Sequence, residues 1–273
     1  MSEVYFDAAE VERTRRRAEQ VGQLTIGDTW MRERMTPEEV ARSHEEFGGS
    51  EPSLWGNDQF ERGGWLPDAT AASAVLAALP IVDRQPGWTF GTYVFRDRLG
   101  GYGITFARPI GTRLRSREEL EADVRAGREP RLDNERGAEM VLRWDPLDLA
   151  GYLWGSIAAR ELKQLGGDWH GLWWSTEYFV GGVGTPVIAG GEESSVSETP
   201  PDLAAFSFQA EAPSRWDPSV RRSADGEVSF EFFTFGARHG ERLWRHRDVY
   251  SPGSTVPERS RTEIARGGFG YVF

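Results

Sequence analysis

Two segments of this chain carry a period of two on both sides of a turn signal, and that pattern restricts the fold more than any other feature. The first is TFGTYVFRDRLGGYGITFARPIG, residues 89–111; the second is VSFEFFTFG with ERLWRHRDVY, residues 228–236 and 241–250. Alternating side chains define a strand with two distinct faces, and a short reversal between two such strands makes them antiparallel neighbours. In the first hairpin Gly100 and Gly101 suit a two-residue turn, which sets Phe95 opposite Phe106 and Asp97 opposite Ile104. Tyr93, Phe95, Ile104 and Phe106 then share a core face, and Thr92, Arg96, Arg98 and Thr105 share the other.

Helical patterns precede and separate the hairpins. DPLDLAGYLWGSIAARELKQLGG, residues 145–167, begins with Asp145 as cap and Pro146 in the first turn, and Gly166 stops it. Leu149, Leu153 and Ile157 form its apolar stripe, with Trp154, Ala158 and Leu165 beside it. Asp7 caps AAEVERTRRRAEQ, Thr36 and Glu39 form a capping box on MTPEEVARSHEEF, Asp68 caps DATAASAVLAALP, and Ser116 with Glu119 boxes SREELEADVRAGR. The basic run Arg15 to Arg17 reads as a solvated helix face beside Glu12 and Glu19. AEMVLRW, HGLWWSTEYFVGG, LAAFSFQAE and the closing GGFGYVF predict further strands. Residues 181–201, which include GGEESSVSETPP, have too little apolar surface to order themselves and predict a mobile acidic loop.

This order predicts an α+β fold: a mainly antiparallel sheet built from hairpins, packed by one long central helix and N-terminal helices. One domain over residues 1–273 is expected, with a helical N-terminal region over 1–80. No G-x-G-x-x-G or Walker pattern stands between a strand and a helix, so no nucleotide cofactor is expected.

Composition narrows the chemistry. The chain has no cysteine, which excludes disulfides, thiolate metal sites and a cysteine nucleophile. Every basic residue except Lys163 is arginine, a bias that reads as GC-rich bacterial coding and leaves one lysine for Schiff-base chemistry. The formal charge of -11 opposes attraction to nucleic acid and to anionic membranes. MSEVYFDAAEVERTRRRAEQ lacks a basic segment followed by an apolar run, and no apolar stretch reaches membrane-spanning length. A cytoplasmic protein without a nucleic-acid or membrane partner is therefore expected.

Two constellations carry potential chemistry. GGDWHGLWW, residues 166–174, concentrates Trp169, His170 and Trp173 near Glu177, either as a binding surface or as filling between helix and sheet. Trp173 and Trp174 point to opposite faces of a regular strand, so both cannot line one pocket. In the second hairpin, a turn at His239 and Gly240 would pair Phe233 with His246 and Glu231 with Asp248. His246 would then lie between two carboxylates, with Trp244 in the apolar wall, as a general acid or base. A three- or five-residue loop instead sets Glu231 opposite Arg247 and turns His246 to the other face. The four histidines lack metal-ligand spacing, so no metal is expected.

Two functional readings follow. In the first, an acidic binding protein of immunity or inhibitor type takes a basic protein partner, with Trp169, His170, Trp173, Glu177, Trp244 and the acidic-loop residues Glu192 and Glu193 as candidate binding residues. In the second, a cofactor-independent isomerase, lyase or hydrolase acts on a small organic or glycosidic ligand through His246, Glu231 and Asp248, or through His170 and Glu177.

Overall fold

The computed structural model describes residues 2–34, 64–97, 100–126, 136–167, 174–182, 184–187, 206–209, 211–236 and 240–267. Among these residues the chain is α+β with antiparallel sheets. In chain order the strands are β1 (Ser2–Tyr5), β2 (Gly64–Asp68), β3 (Asp83–Arg84), β4 (Trp88–Asp97), β5 (Gly100–Pro109), β6 (Arg136–Gly137) and β7 (Leu142–Arg143). They continue with β8 (Glu177–Gly181), β9 (Thr185–Pro186), β10 (Ser207–Phe208), β11 (Ser219–Arg222), β12 (Val228–Gly236), β13 (Arg242–Tyr250) and β14 (Glu258–Arg266). The helices are α1 (Ala8–Arg34), α2 (Ala71–Ala78), α3 (Arg117–Arg125) and α4 (Leu149–Gln164). Two compact units arise: Met1–Arg17, Arg143–Ile157 and Trp173–Phe273 form one, and Ala18–Leu142 with Ala158–Leu172 forms the other.

The first unit holds the larger sheet, in the order β1-β11-β12-β13-β14-β10, with β8 also on β12 and β9 on β8. The hairpin of β12 and β13 pairs Phe232 with His246 and Glu231 with Arg247, which corrects the expected pairing of Phe233 with His246 and Glu231 with Asp248. Residues 237–241 separate the strands, an odd count, and a shift of one residue exchanges the faces. Side-chain chemistry explains the choice. This register sets Leu243 beside Phe233 and Phe235 in a cluster with Val180, Trp216 and Ile264, and leaves Arg245 and Arg247 exposed. The other parity would turn both arginines toward the buried face.

The remaining elements of this unit differ from expectation in length. Asp145 Oδ1 accepts Leu147 N–H at 2.8 Å, but α4 begins at Leu149 and its first turn is capped by Asp148, whose Oδ1 accepts Ala150 N–H at 2.9 Å. Gly151 and Gly155 let the Trp144 ring lie on the helix; a Cβ at either would stand 2.4 and 2.3 Å from that ring. Trp144, Tyr152 and Tyr250 complete an edge-to-face cluster. The strand expected over 170–182 begins only at Glu177, after a turn, so Trp174 lies outside it. It packs instead on Phe179, Phe232 and His246. Gly181, Thr185 and Pro186, expected at the start of a mobile loop, instead pair in β8 and β9; residues 183 and 188–205 lie outside the described residues, as do Thr36, Glu39 and the closing 268–273. LAAFSFQAE contributes the two-residue β10, while β1 and β14 form where no strand was expected.

The second unit holds the sheet β2-β4-β5-β6. Its hairpin pairs Phe95 with Tyr102 and Asp97 with Gly100, so the turn falls four residues of register away from the Gly100–Gly101 expectation. The glycines serve inside the strand: a Cβ on Gly103 would stand 1.9 Å from the Leu165 carbonyl oxygen. An even shift preserves faces, and Tyr93 and Phe106 pack with Trp65 and Leu120, flanked by Phe95 and Ile104. The opposite face is also covered, because Thr92 is buried and bonds Thr105 at 3.1 Å. Asp68, expected as the cap of α2, lies two residues ahead of the N-cap position Thr70 and accepts Thr70 and Ala71 N–H, whereas the Ser116–Glu119 capping box opens α3 as expected. AEMVLRW forms a 3-10 turn over Ala138–Val141 before the short β7.

Candidate functional site

Chemistry-bearing residues of the first unit collect on both faces of its sheet. On one face, Glu12, Arg15 and Arg16 sit at i, i+3 and i+4 of α1 and so share one side of the helix. Arg15 is fully buried, which corrects its reading as part of a solvated face. The reason lies in the turn before β8: its carbonyls have left the sheet ladder and need donors. Arg15 Nη1 donates to Trp174 O at 3.0 Å and Nη2 to Glu177 O at 2.6 Å, while Arg16 Nη1 donates to Ser175 O at 2.6 Å. The Arg15 guanidinium also lies 4.7 Å over the Trp174 ring. Glu12 balances both cations, with Arg15 at 2.7 Å and Arg16 at 2.6 Å, and accepts Phe179 N–H at 3.1 Å. Burial acts to raise the Glu12 pKa, but the two arginines and the Phe179 N–H outweigh it and hold the carboxyl below 4.5.

Glu177 extends this network into the sheet. Its Oε2 accepts Thr234 Oγ1 at 2.6 Å and lies 3.2 Å from His246 Nε2, which is itself 2.8 Å from Thr234 Oγ1. Arg261 donates to Oε1 and lies 3.8 Å over the Trp244 ring. Burial opposes ionisation of Glu177 as well; His246, Thr234 and Arg261 overcome it and keep the carboxyl below its usual 4.5. His246 stacks flat on Phe232 with centroids 4.5 Å apart and is 2% exposed.

The expected trio is thus not assembled. Glu231 lies on the opposite face, held by Arg245 at 2.5 Å. Asp248 shares the face of His246 but accepts Ser156 Oγ at 2.5 Å and pairs with Arg259 at 3.6 Å. Of the expected binding residues, the fold brings Glu177 and Trp244 together with His246; Trp169, His170, Trp173, Glu192 and Glu193 lie outside the described residues. Glu12, Arg15, Arg16, Thr234 and Arg261 were missed. The E-x-x-R-R spacing was a usable signal, whereas a threonine within an apolar strand gave none. Among the described residues no three His, Asp or Glu side chains converge as metal ligands.

The opposite face presents a groove of about 250 Å³, with Phe233 and Ile264 in its lining. Glu3, Glu211, Asp217 and Glu231 supply four carboxylates, against Arg215 and Arg245. Both arginines are paired within it, Arg215 with Asp217 at 3.1 Å and Arg245 with Glu231. Arg215 also lies 3.7 Å over Tyr5, in β1 at the sheet's margin. The two remaining carboxylates, Glu3 and Glu211, stand on exposed residues. No known family, curated protein or solved structure matches this chain.

Proposed function

We propose that this chain is a non-enzymatic binding protein, of immunity or inhibitor type, that takes a basic protein partner in the bacterial cytoplasm. The observation that carries the reading is the accessible groove on the sheet, where four carboxylates face two arginines and both arginines are internally compensated. Its local charge has the sign of the whole chain, -11, so approach and docking favour the same cationic partner. Among the described residues no specific observation favours the enzyme reading: His246 is buried with Nε2 engaged, and Glu231 and Asp248 are committed to other partners on different faces.

Native mass spectrometry of tagged protein, purified gently from its own host, tests the proposal. A stoichiometric basic protein that dissociates in high salt is the expected result. A small-molecule adduct on the bare chain, with no protein partner, would overturn it.

A further inference from the structure

We infer that the partner docks by adding an extended basic segment to the outer edge of β1, an inference that rests on the binding function proposed above. Among the described residues β1 is terminal in the larger sheet and pairs with β11 on one side. The direction of its backbone groups follows from the ladder. Phe6 N–H donates to Pro218 O at 2.9 Å, directly beyond the pairs Val4–Val220 and Ser2–Arg222. Antiparallel ladders alternate, so Ser2 and Val4 turn their N–H and C=O toward β11, while Glu3 and Tyr5 turn theirs outward. All four residues of β1 are exposed, Val4 at 42% and Tyr5 at 40%.

An unpaired edge is a template for strand addition, and natural sheets commonly blunt such edges with charge or bulges. The contrast within this sheet is informative. β14, toward the other margin, carries Glu258, Arg259, Arg261 and Glu263, together with a register shift opposite Leu243 and Trp244. β1 is SEVY, with one charge and two apolar side chains.

Charge selects the occupant. Glu3 and Tyr5 share the face of Ser219 and Glu231, so a strand added outside β1 would project every second side chain toward the groove of Glu3, Glu211, Asp217 and Glu231. That geometry fits arginine or lysine at alternate positions, with apolar residues beside Val4 on the other face. A second copy of this chain fits less well, because it brings another Glu3 and another -11 charges to the same edge.

The test uses a blocked octapeptide alternating arginine with valine, its glutamate counterpart, and an arginine peptide N-methylated along its pairing edge. Binding is read by calorimetry and by amide hydrogen exchange at Glu3 and Tyr5. The arginine peptide is expected to bind and to protect both amides, with the glutamate and N-methylated peptides at least tenfold weaker. Glu3→Pro removes an outward N–H without removing a β1–β11 bond and should also weaken binding at least tenfold; Glu3→Gln, which keeps the backbone donor, should lose less. If melting shows that Glu3→Pro disturbs the fold, the N-methylated peptide tests the same bond from the guest's side. Absence of binding, binding without protection of Glu3 and Tyr5, or equal binding of the N-methylated peptide would overturn the inference. Protection of these amides by self-association, without peptide, would assign the edge to a second copy and overturn it too. A host partner retained equally by wild type and a folded Glu3→Pro would sink the edge and leave the binding function standing, whereas no host partner at all would sink the binding function.

Discussion

Arg15 carries its charge into a place where neither it nor Glu12 has exposed surface. Such a pair contributes little net stability relative to apolar packing, yet losing one member strands the other in a medium that cannot solvate it. Arg15→Met should therefore cost about 3–5 kcal/mol, measured by urea unfolding. A cost under about 1 kcal/mol would show that water reaches Glu12. The acid limb follows from the same residues. Folding depresses the pKa of Glu12 and Glu177 below 4.5, so their contribution is complete above that value and is lost as pH falls through their lower folded values. Stability should decline below pH 4.5, and Glu12→Gln, weaker at neutral pH, should approach the parent there. Parallel curves for the two proteins would remove Glu12 from this account. At this scale the sequence was least legible: Glu12 and Arg15 share a helix side, but Glu177 lies 165 positions beyond Glu12 and no local pattern links it to them.

Elements were legible where their cause is local. Capping at Asp7 and Ser116 involves groups within three residues, and each forms as expected; Asp68 bonds the first turn of α2 from two residues ahead of the N-cap position Thr70. Registers were not, because a hairpin's turn is chosen by what the strands pack against. Gly100 and Gly101 have ordinary turn chemistry, but Gly103 must approach Leu165, and ten-residue strands pair fully in the register that allows it. On α4 the same logic gives a prediction. Gly155→Ala pushes a methyl into the Trp144 ring and should cost about 1–3 kcal/mol by thermal or urea unfolding. In a Trp144→Leu background the same change should cost less, since the obstructing ring is gone. Equal costs in both backgrounds would attribute the loss to something other than that contact.

At the scale of the molecule, the charge of -11 acts over distances that single contacts do not reach. Association with the arginine octapeptide should slow on the order of tenfold between 20 and 200 mM salt, as stopped-flow fluorescence would measure. A salt-independent rate would place recognition in the backbone edge alone. No helix among the described residues is long and apolar enough to cross a membrane, in line with the absence of such a run in the sequence. Strand alternation, helix caps, the antiparallel character of the sheets and the sign of the field were readable directly, because each depends on near neighbours or on a sum over residues. Burial of Arg15, the separation of Glu231 from His246 and the terminal place of β1 among the described strands were decided by tertiary packing. A one-residue difference in loop length exchanges the faces of a strand, and the partner of a buried charge comes from whichever distant segment the fold lays against it.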